Sequence, residues 1–271
     1  MHRRVFEALR ELAYREAGLA MKDSKEVLLS ARIAKRVRAL SLGSEDDYLA
    51  YLRSDRGGLE MVHFLDAIST NFTSFFREPD HFDRLREEAA RWVTSGTRNV
   101  RVWCAAASTG EEPYTLAMTL SEAFSGTPTE FRILATDISV RALEHASRAR
   151  YDEGRLGPVP AALRRRYFVP EEGASKGEPT FAVSPRLRER VLFKRLNLAT
   201  PPFPLRGELD AVFCRNVMIY FDAPVRQRLV AEVERLLRPG GLFVVAHAET
   251  LSGARGGLTP LSASVYRKGA P

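Results

Sequence analysis

The chain has 271 residues, 45% of them hydrophobic, and a formal charge of +7. That composition is ordinary for a globular protein and excludes disordered and fibrous classes, while the length suits a helical domain followed by an α/β domain better than one compact core. Two cysteines exclude a disulfide framework, and no stretch approaches the roughly 18 apolar residues of a membrane span, so no direct membrane insertion is expected.

Met1 to Leu12 sets Val5, Leu9 and Leu12 at helical spacing among charged residues, unlike an export signal, which predicts a cytoplasmic location. Up to about residue 90 the chain reads as successive short helices without a strand. Asp23 or Ser24 is placed to cap a helix in which Leu29, Ile33, Val37 and Leu40 form one apolar stripe. Arg32, Lys35 and Arg38 fall on another side of it. Ser44, followed by Asp47, starts a further helix as a capping box with Asp in place of Glu.

From Asn99 the pattern changes to short apolar runs alternating with helical stretches. The runs are Val100 to Ala106, Phe131 to Thr136, Asp210 to Cys214 and Leu242 to Ala246; the helices are Glu111 to Phe124, Val140 to Arg150 and Ala223 to Leu237. Such alternation predicts a mostly parallel sheet. Arg166 to Val169, Phe181 to Ser184 and Val191 to Leu196, separated by Gly- and Pro-containing turns, predict a small antiparallel insertion. Cys104 and Cys214 sit inside apolar runs as small buried filling.

The first run leads into the turn Ala105-Ala106-Ala107-Ser108-Thr109-Gly110-Glu111-Glu112-Pro113. Small residues let a ligand approach the backbone, and a helix N-terminus supplies amide donors. Two acids there would repel a pyrophosphate and suit a ligand carrying an ammonium and a sulfonium; they equally suit simple helix capping. Asp137, at the carboxyl end of the second run, is placed either to bind the hydroxyls of a ribose or to cap the next helix. Asn197-Leu198, after another run, offers an amide and a backbone N–H to an adenine edge, although a lone Asn is more often a turn residue. None of the five histidines has metal-ligand spacing, so no metal is expected, and His81 reads as a helix-start residue.

Thr70-Asn71-Phe72-Thr73-Ser74-Phe75-Phe76-Arg77-Glu78, with His81-Phe82 beyond it, closely resembles the signature of CheR-type chemotaxis receptor methyltransferases. So do Trp103 with Ala105 to Tyr114, Ala135-Thr136-Asp137-Ile138, and Phe213-Cys214-Arg215-Asn216-Val217-Met218-Ile219-Tyr220-Phe221-Asp222. The four matches stand in family order, and Leu236-Leu237-Arg238-Pro239-Gly240-Gly241 before Leu242 looks like the helix, tight turn and strand of the wider methyltransferase fold.

The resemblance implies a Rossmann-like class I methyltransferase domain at 76–271, with a small antiparallel β insertion at about 165–196, preceded by an all-α N-terminal domain at 1–75 that contacts the receptor. It implies S-adenosylmethionine as cofactor, S-adenosylhomocysteine as product, and glutamates on cytoplasmic helices of methyl-accepting chemotaxis-type receptors as acceptors. Asn71, Thr73 and Arg77 would line the cleft from the linker; Glu112, Asp137, Asn197 and Leu198 would hold the cofactor; Arg215, Asn216 and Tyr220 would sit beside the transferred methyl. Arg77 and Tyr220 are the candidates for aligning the acceptor, and Arg32, Lys35 and Arg38 the basic face that meets the receptor. Phe72, Phe75 and Phe76 are expected to be core. Glu171-Glu172-Gly173-Ala174-Ser175-Lys176-Gly177 keeps no motif of a receptor-tail docking site.

Two other readings are weaker. A nucleic-acid methyltransferase is suggested by the positive charge. Arg far outnumbers Lys, however, as a GC-rich coding genome alone produces, and the acid-or-Asn, Pro-Pro-aromatic signature is absent where Arg215-Asn216-Val217 stands. Cys214 also lacks the Pro-Cys context of cytosine enzymes, so no nucleic-acid partner is expected. A non-enzymatic module that kept the pocket is disfavoured because every matched position is intact.

Overall fold

The computed structural model describes residues 1–69, 71–171, 179–251 and 256–269. Thr70 of the linker signature and Glu172 to Gly177 of the insertion lie outside the described residues. Four helices come first: α1 (Arg3–Ala17), α2 (Glu26–Ala39), α3 (Glu45–Ser54) and α4 (Leu59–Ile68). Their apolar stripes meet in one cluster that includes Val5, Leu9, Leu12, Leu29, Ile33, Tyr48 and Phe64. Glu60 is buried there between two donors, Arg36 at 2.6 Å and the Tyr48 hydroxyl at 2.8 Å, which supplies the partners a buried carboxylate needs.

Two helix starts are informative. The Ser44 hydroxyl accepts the Asp47 N–H at 3.1 Å, as expected, but Asp47 returns its carboxylate to the Ser44 hydroxyl at 2.8 Å and not to the Ser44 amide. Asp is one methylene shorter than the Glu of a full capping box. Asp23 caps nothing: α2 begins at Glu26 without a side-chain cap, and the Asp23 carboxylate accepts from Arg3 and Arg10 on α1, at 3.1 and 2.5 Å.

A linker leads to α5 (Asp80–Thr94), after which strand and helix alternate: β1 (Asn99–Cys104), α6 (Glu111–Ala123), β2 (Glu130–Asp137) and α7 (Val140–Arg148). The chain continues through β3 (Arg150–Asp152), α8 (Ala161–Tyr167), β4 (Phe168–Pro170), β5 (Thr180–Val183), α9 (Pro185–Arg188) and β6 (Val191–Arg195). It closes with β7 (Leu209–Phe213), α10 (Ala223–Leu236), β8 (Leu237–Val244), β9 (Leu258–Pro260) and β10 (Val265–Lys268).

The main sheet runs β6-β2-β1-β7-β8-β10-β9. Its first five strands are parallel, whereas β10 pairs antiparallel with both β8 and β9. This is a Rossmann-like, doubly wound sheet. The order turns outward in both directions from β1 and β7, and in doubly wound sheets a ligand crevice opens beyond the carboxyl ends of such strands. Trp103 on β1 is fully buried, and its indole N–H donates to the Thr136 hydroxyl on β2 at 2.9 Å, locking the ends of these two strands together.

The insertion differs from the expectation. β4 and β5 pair antiparallel, but their third strand is β3, and Val191 to Arg195 instead extends the main sheet in parallel register with Ile133 to Asp137. As an edge strand with Leu192 exposed, β6 lacks the continuous apolar run that marks a central parallel strand. Arg166 belongs to α8, so the strand begins only at Phe168.

Candidate active site

The turn after β1 carries its ligand-facing geometry in the backbone. Ser108 and Gly110 have positive φ, 48° and 100°, and Gly110 precedes the first residue of α6. A Cβ on Gly110 would lie 2.5 Å from the Tyr151 hydroxyl and 2.8 Å from the Ala146 Cβ, so this position demands glycine for space as well as for conformation. Tyr151 donates to the Thr109 carbonyl at 2.8 Å and holds the turn from behind.

Asp137 stands at the end of β2, half-buried. One carboxylate oxygen accepts the Ser108 N–H at 2.8 Å and the other the Ser139 N–H at 2.9 Å, which binds it to the turn and leaves each oxygen a further lone pair. Burial raises its pKa and these amides pull it back. A carboxylate so placed fits the hydroxyl pair of a ribose. Asn71, on the linker, reaches the same corner, its amide 3.5 Å from the Ser139 hydroxyl, and Thr73 follows half-buried.

The two acids at the start of α6 have protein partners. Glu111 is buried against Arg155 at 2.6 Å and the Thr109 hydroxyl at 2.6 Å. Glu112 accepts from Arg215 at 2.8 Å and faces the Cys104 thiol at 3.4 Å. Burial raises the Glu112 carboxyl and Arg215 pulls it back; on Arg215 burial opposes the charge, but Glu112 and Glu78 outweigh it and the pKa rises. Arg215 also donates to the Arg77 carbonyl and, at 3.1 Å, to Glu78. It thereby joins the linker, the start of α6 and the segment after β7.

Phe76, Glu78 and Asn216, at φ 52°, 55° and 58°, crowd non-glycine left-handed residues into this junction. Such conformations persist where surrounding bonds over-determine them, and they concentrate at functional sites. Arg77 lies between the first two; its guanidinium is 5.6 Å from the centroid of the Phe72 ring and donates to the Phe72 carbonyl at 3.0 Å. Phe75 is core as expected and Phe76 packs against it, but Phe72 is 77% exposed, held on the linker by Arg77 and not by the interior.

Tyr220 ends a short 3₁₀ turn (Met218–Tyr220), and its carbonyl accepts the Ala20 N–H at 2.8 Å, joining the helical part to this segment. Asn197 makes a similar tie: its amide donates to the Glu16 carbonyl at 2.7 Å and its oxygen accepts the Ala199 N–H at 3.0 Å, while Leu198 is buried. On the basic helix, Arg32 is turned to the end of α4, donating to the Ile68 and Ser69 carbonyls. Lys35 and Arg38 are exposed.

Three residues at this junction escaped the sequence reading, because each binds a group far along the chain: Arg155 to Glu111, Glu249 to Asn216 and Ile219, and His247 to Asp80. Glu249 is buried and accepts the N–H groups of Asn216, Ile219 and Ala246. His247 reaches Asp80 at 2.9 Å, and with Glu78 and His81 it forms a group whose ligating atoms lie within 4.8 Å of one another. Arg215 already neutralises Glu78 there, so a metal ion would sit against a guanidinium. His81 is buried, with burial holding its pKa down to about 4, and it bonds Ser264 at 2.7 Å.

Residues 4–69 match the family model described as CheR methyltransferase, all-alpha domain, and residues 71–267 match CheR methyltransferase, SAM binding domain. A chemotaxis protein methyltransferase 2 of Pseudomonas aeruginosa is 40% identical over 261 residues, covering 96% of this chain and 91% of the relative. The chemotaxis protein methyltransferase of Escherichia coli is 36% identical over 261 residues, covering 96% and 89%.

Proposed function

Because the chain belongs to the CheR methyltransferase family, we propose that it methylates side-chain carboxylates of glutamates on the cytoplasmic helices of methyl-accepting chemotaxis-type receptors, with glutamyl methyl esters and S-adenosylhomocysteine as products. It is an S-adenosylmethionine-dependent methyltransferase. The receptor reading is supported above all by one observation: Arg215 bonds the Arg77 carbonyl and Glu78, which brings the linker signature and the segment ending at Tyr220 into one junction beside the turn after β1.

The cofactor supplies, when bound, an electrophilic methyl on a sulfonium. The chain's part is to bind and to align. Asp137 would hold the ribose hydroxyls, Asn71, Thr73, Asn197 and Leu198 would surround the nucleoside, and Asn216 and Arg215 would lie toward the methionine end. Glu112 acts through Arg215, which it holds charged and fixed. An acceptor glutamate with a pKa of about 4.3 is already ionised at neutral pH, so no general base is required. Arg77 and Tyr220 would orient the acceptor carboxylate for transfer, a positioning contribution. Arg77 is half-buried with its guanidinium over the exposed Phe72 ring, so it would guide the acceptor without the tight, fully desolvated ion pair that would blunt a nucleophile.

In this reading residues 1–75 form the receptor-contacting domain and 76–271 the methyltransferase domain. The exposed Lys35 and Arg38 meet an acidic receptor helix, and Arg32 supports that face from the end of α4. The location is cytoplasmic, consistent with the absence, among the described residues, of any helix long and apolar enough to cross a membrane. Peptide mapping of receptor fragments incubated with enzyme and S-adenosylmethionine tests the acceptor: methylation is expected on glutamates, and methylation confined to other side chains contradicts the proposal. Charge reversal by Lys35→Glu and Arg38→Glu is expected to raise KM for the receptor several-fold, in a salt-dependent way.

A further inference from the structure

Glu249 is 5% exposed, and among the described residues its carboxylate bonds no arginine, lysine or histidine. Its partners are backbone amides: one oxygen accepts the Asn216 N–H at 2.9 Å and the Ala246 N–H at 3.0 Å, and the other accepts the Ile219 N–H at 3.2 Å. Burial raises its pKa and the surrounding amides oppose that rise. A buried anion satisfied by convergent amides is a backbone nest carrying its own anion. The nest is made by the stretch that contains Arg215, Asn216 and Tyr220, and Asn216 within it is left-handed at φ 58°.

We infer that Glu249 is a positioning residue for the cofactor pocket, a role it performs by holding Asn216 in its left-handed conformation and fixing the backbone that carries Tyr220. The stretch after β7 has no regular ladder to define it between Cys214 and the 3₁₀ turn. Two of the amides that shape it point at Glu249, while the third, from Ala246, anchors the carboxylate to the end of β8. An uncharged amide side chain is a poor replacement: of its two polar atoms one is a donor, which would face amide donors. The inference rests on the assignment of Asn216 to the cofactor pocket.

The test is a double-mutant cycle read by calorimetry with S-adenosylhomocysteine. Glu249→Gln and Asn216→Ala are each expected to weaken binding about tenfold, the scale of one lost buried hydrogen-bond partner. The double variant is expected to be no weaker than the worse single one, because both remove the same placement. Losses that simply multiply, or full affinity in Glu249→Gln, overturn the inference while leaving the pocket assignment standing. Full affinity in Asn216→Ala overturns both. Amide hydrogen exchange on the unaltered protein gives a second reading that does not depend on the folding of Glu249→Gln: the amides of Asn216, Ile219 and Ala246 should be protected, and free exchange at Asn216 and Ile219 contradicts the role.

Discussion

The Arg215 guanidinium donates to the Glu112 carboxylate at 2.8 Å, and neither end of this pair is open to solvent: the side chains are 0% and 8% exposed. Glu112 lies at the start of α6 and Arg215 follows β7, so the pair bridges the two central strands of the sheet at their carboxyl ends. Removing one member of such a pair leaves a buried charge without its partner.

Arg215→Met should therefore lower stability by about 3–5 kcal/mol in urea denaturation, since Glu112 and Glu78 both lose their cation. Arg77→Ala should change it by about 1 kcal/mol or less, because that half-buried guanidinium bonds only the Phe72 carbonyl among the described residues, yet methyl transfer should slow strongly. Equal destabilisation by the two would contradict the division between a fixing arginine and an orienting one.

Gly110→Ala should destabilise by about 2 kcal/mol or more, from the positive φ and from contact with Tyr151 and Ala146 together. Gly96→Ala, at φ 73° with nothing within 4 Å of its Cβ, isolates the conformational part and should be milder in a thermal melt.

His81 gives a pH signature. Its pKa is about 4 in the folded protein against an ordinary 6.5, with burial and Arg215 opposing the charge while Asp80 and Glu78 favour it. The unfolded chain thus binds the extra proton between these values, so stability is full above about pH 6.5 and is lost as pH falls toward 4. The loss between pH 7 and 5 is about 2 kcal/mol from this group, and His81→Asn should remove that slope. An unchanged slope in the variant would show that the neighbouring acids carry the effect.

If Asp137 holds the ribose as proposed, Asp137→Ala should weaken S-adenosylhomocysteine binding by tenfold or more, because the amides of Ser108 and Ser139 lose their acceptor as well. Tyr220→Phe should leave binding near normal and mainly lower kcat. Calorimetry beside single-turnover rates separates the two, and normal binding by Asp137→Ala would show the ribose lies elsewhere.

The parallel core was legible in the sequence because strands buried on both faces, such as Asp210 to Cys214, read as unbroken apolar runs. β6 differs from its expected place because an edge strand is buried on little of its surface, and β3, β9 and β10, of three or four residues, carry no turn-bounded apolar run of their own. Residues clustered in motifs, such as Asn71 to Glu78 and Arg215 to Tyr220, were found together. Glu249 and Arg155 were not, since their partners are brought to them by topology. The sequence also could not tell that Arg32 turns inward to α4, or that Arg77 draws Phe72 to the surface.

A receptor glutamate is the proposed methyl acceptor. The direct measurement is transfer of label from methyl-labelled S-adenosylmethionine to the receptors of the same organism, followed by mild base. A glutamyl ester predicts label that enters the receptor and is released as methanol, with both lost when the acceptor glutamates are replaced by alanine. Label that survives base, or that enters nucleic acid instead, would contradict the account.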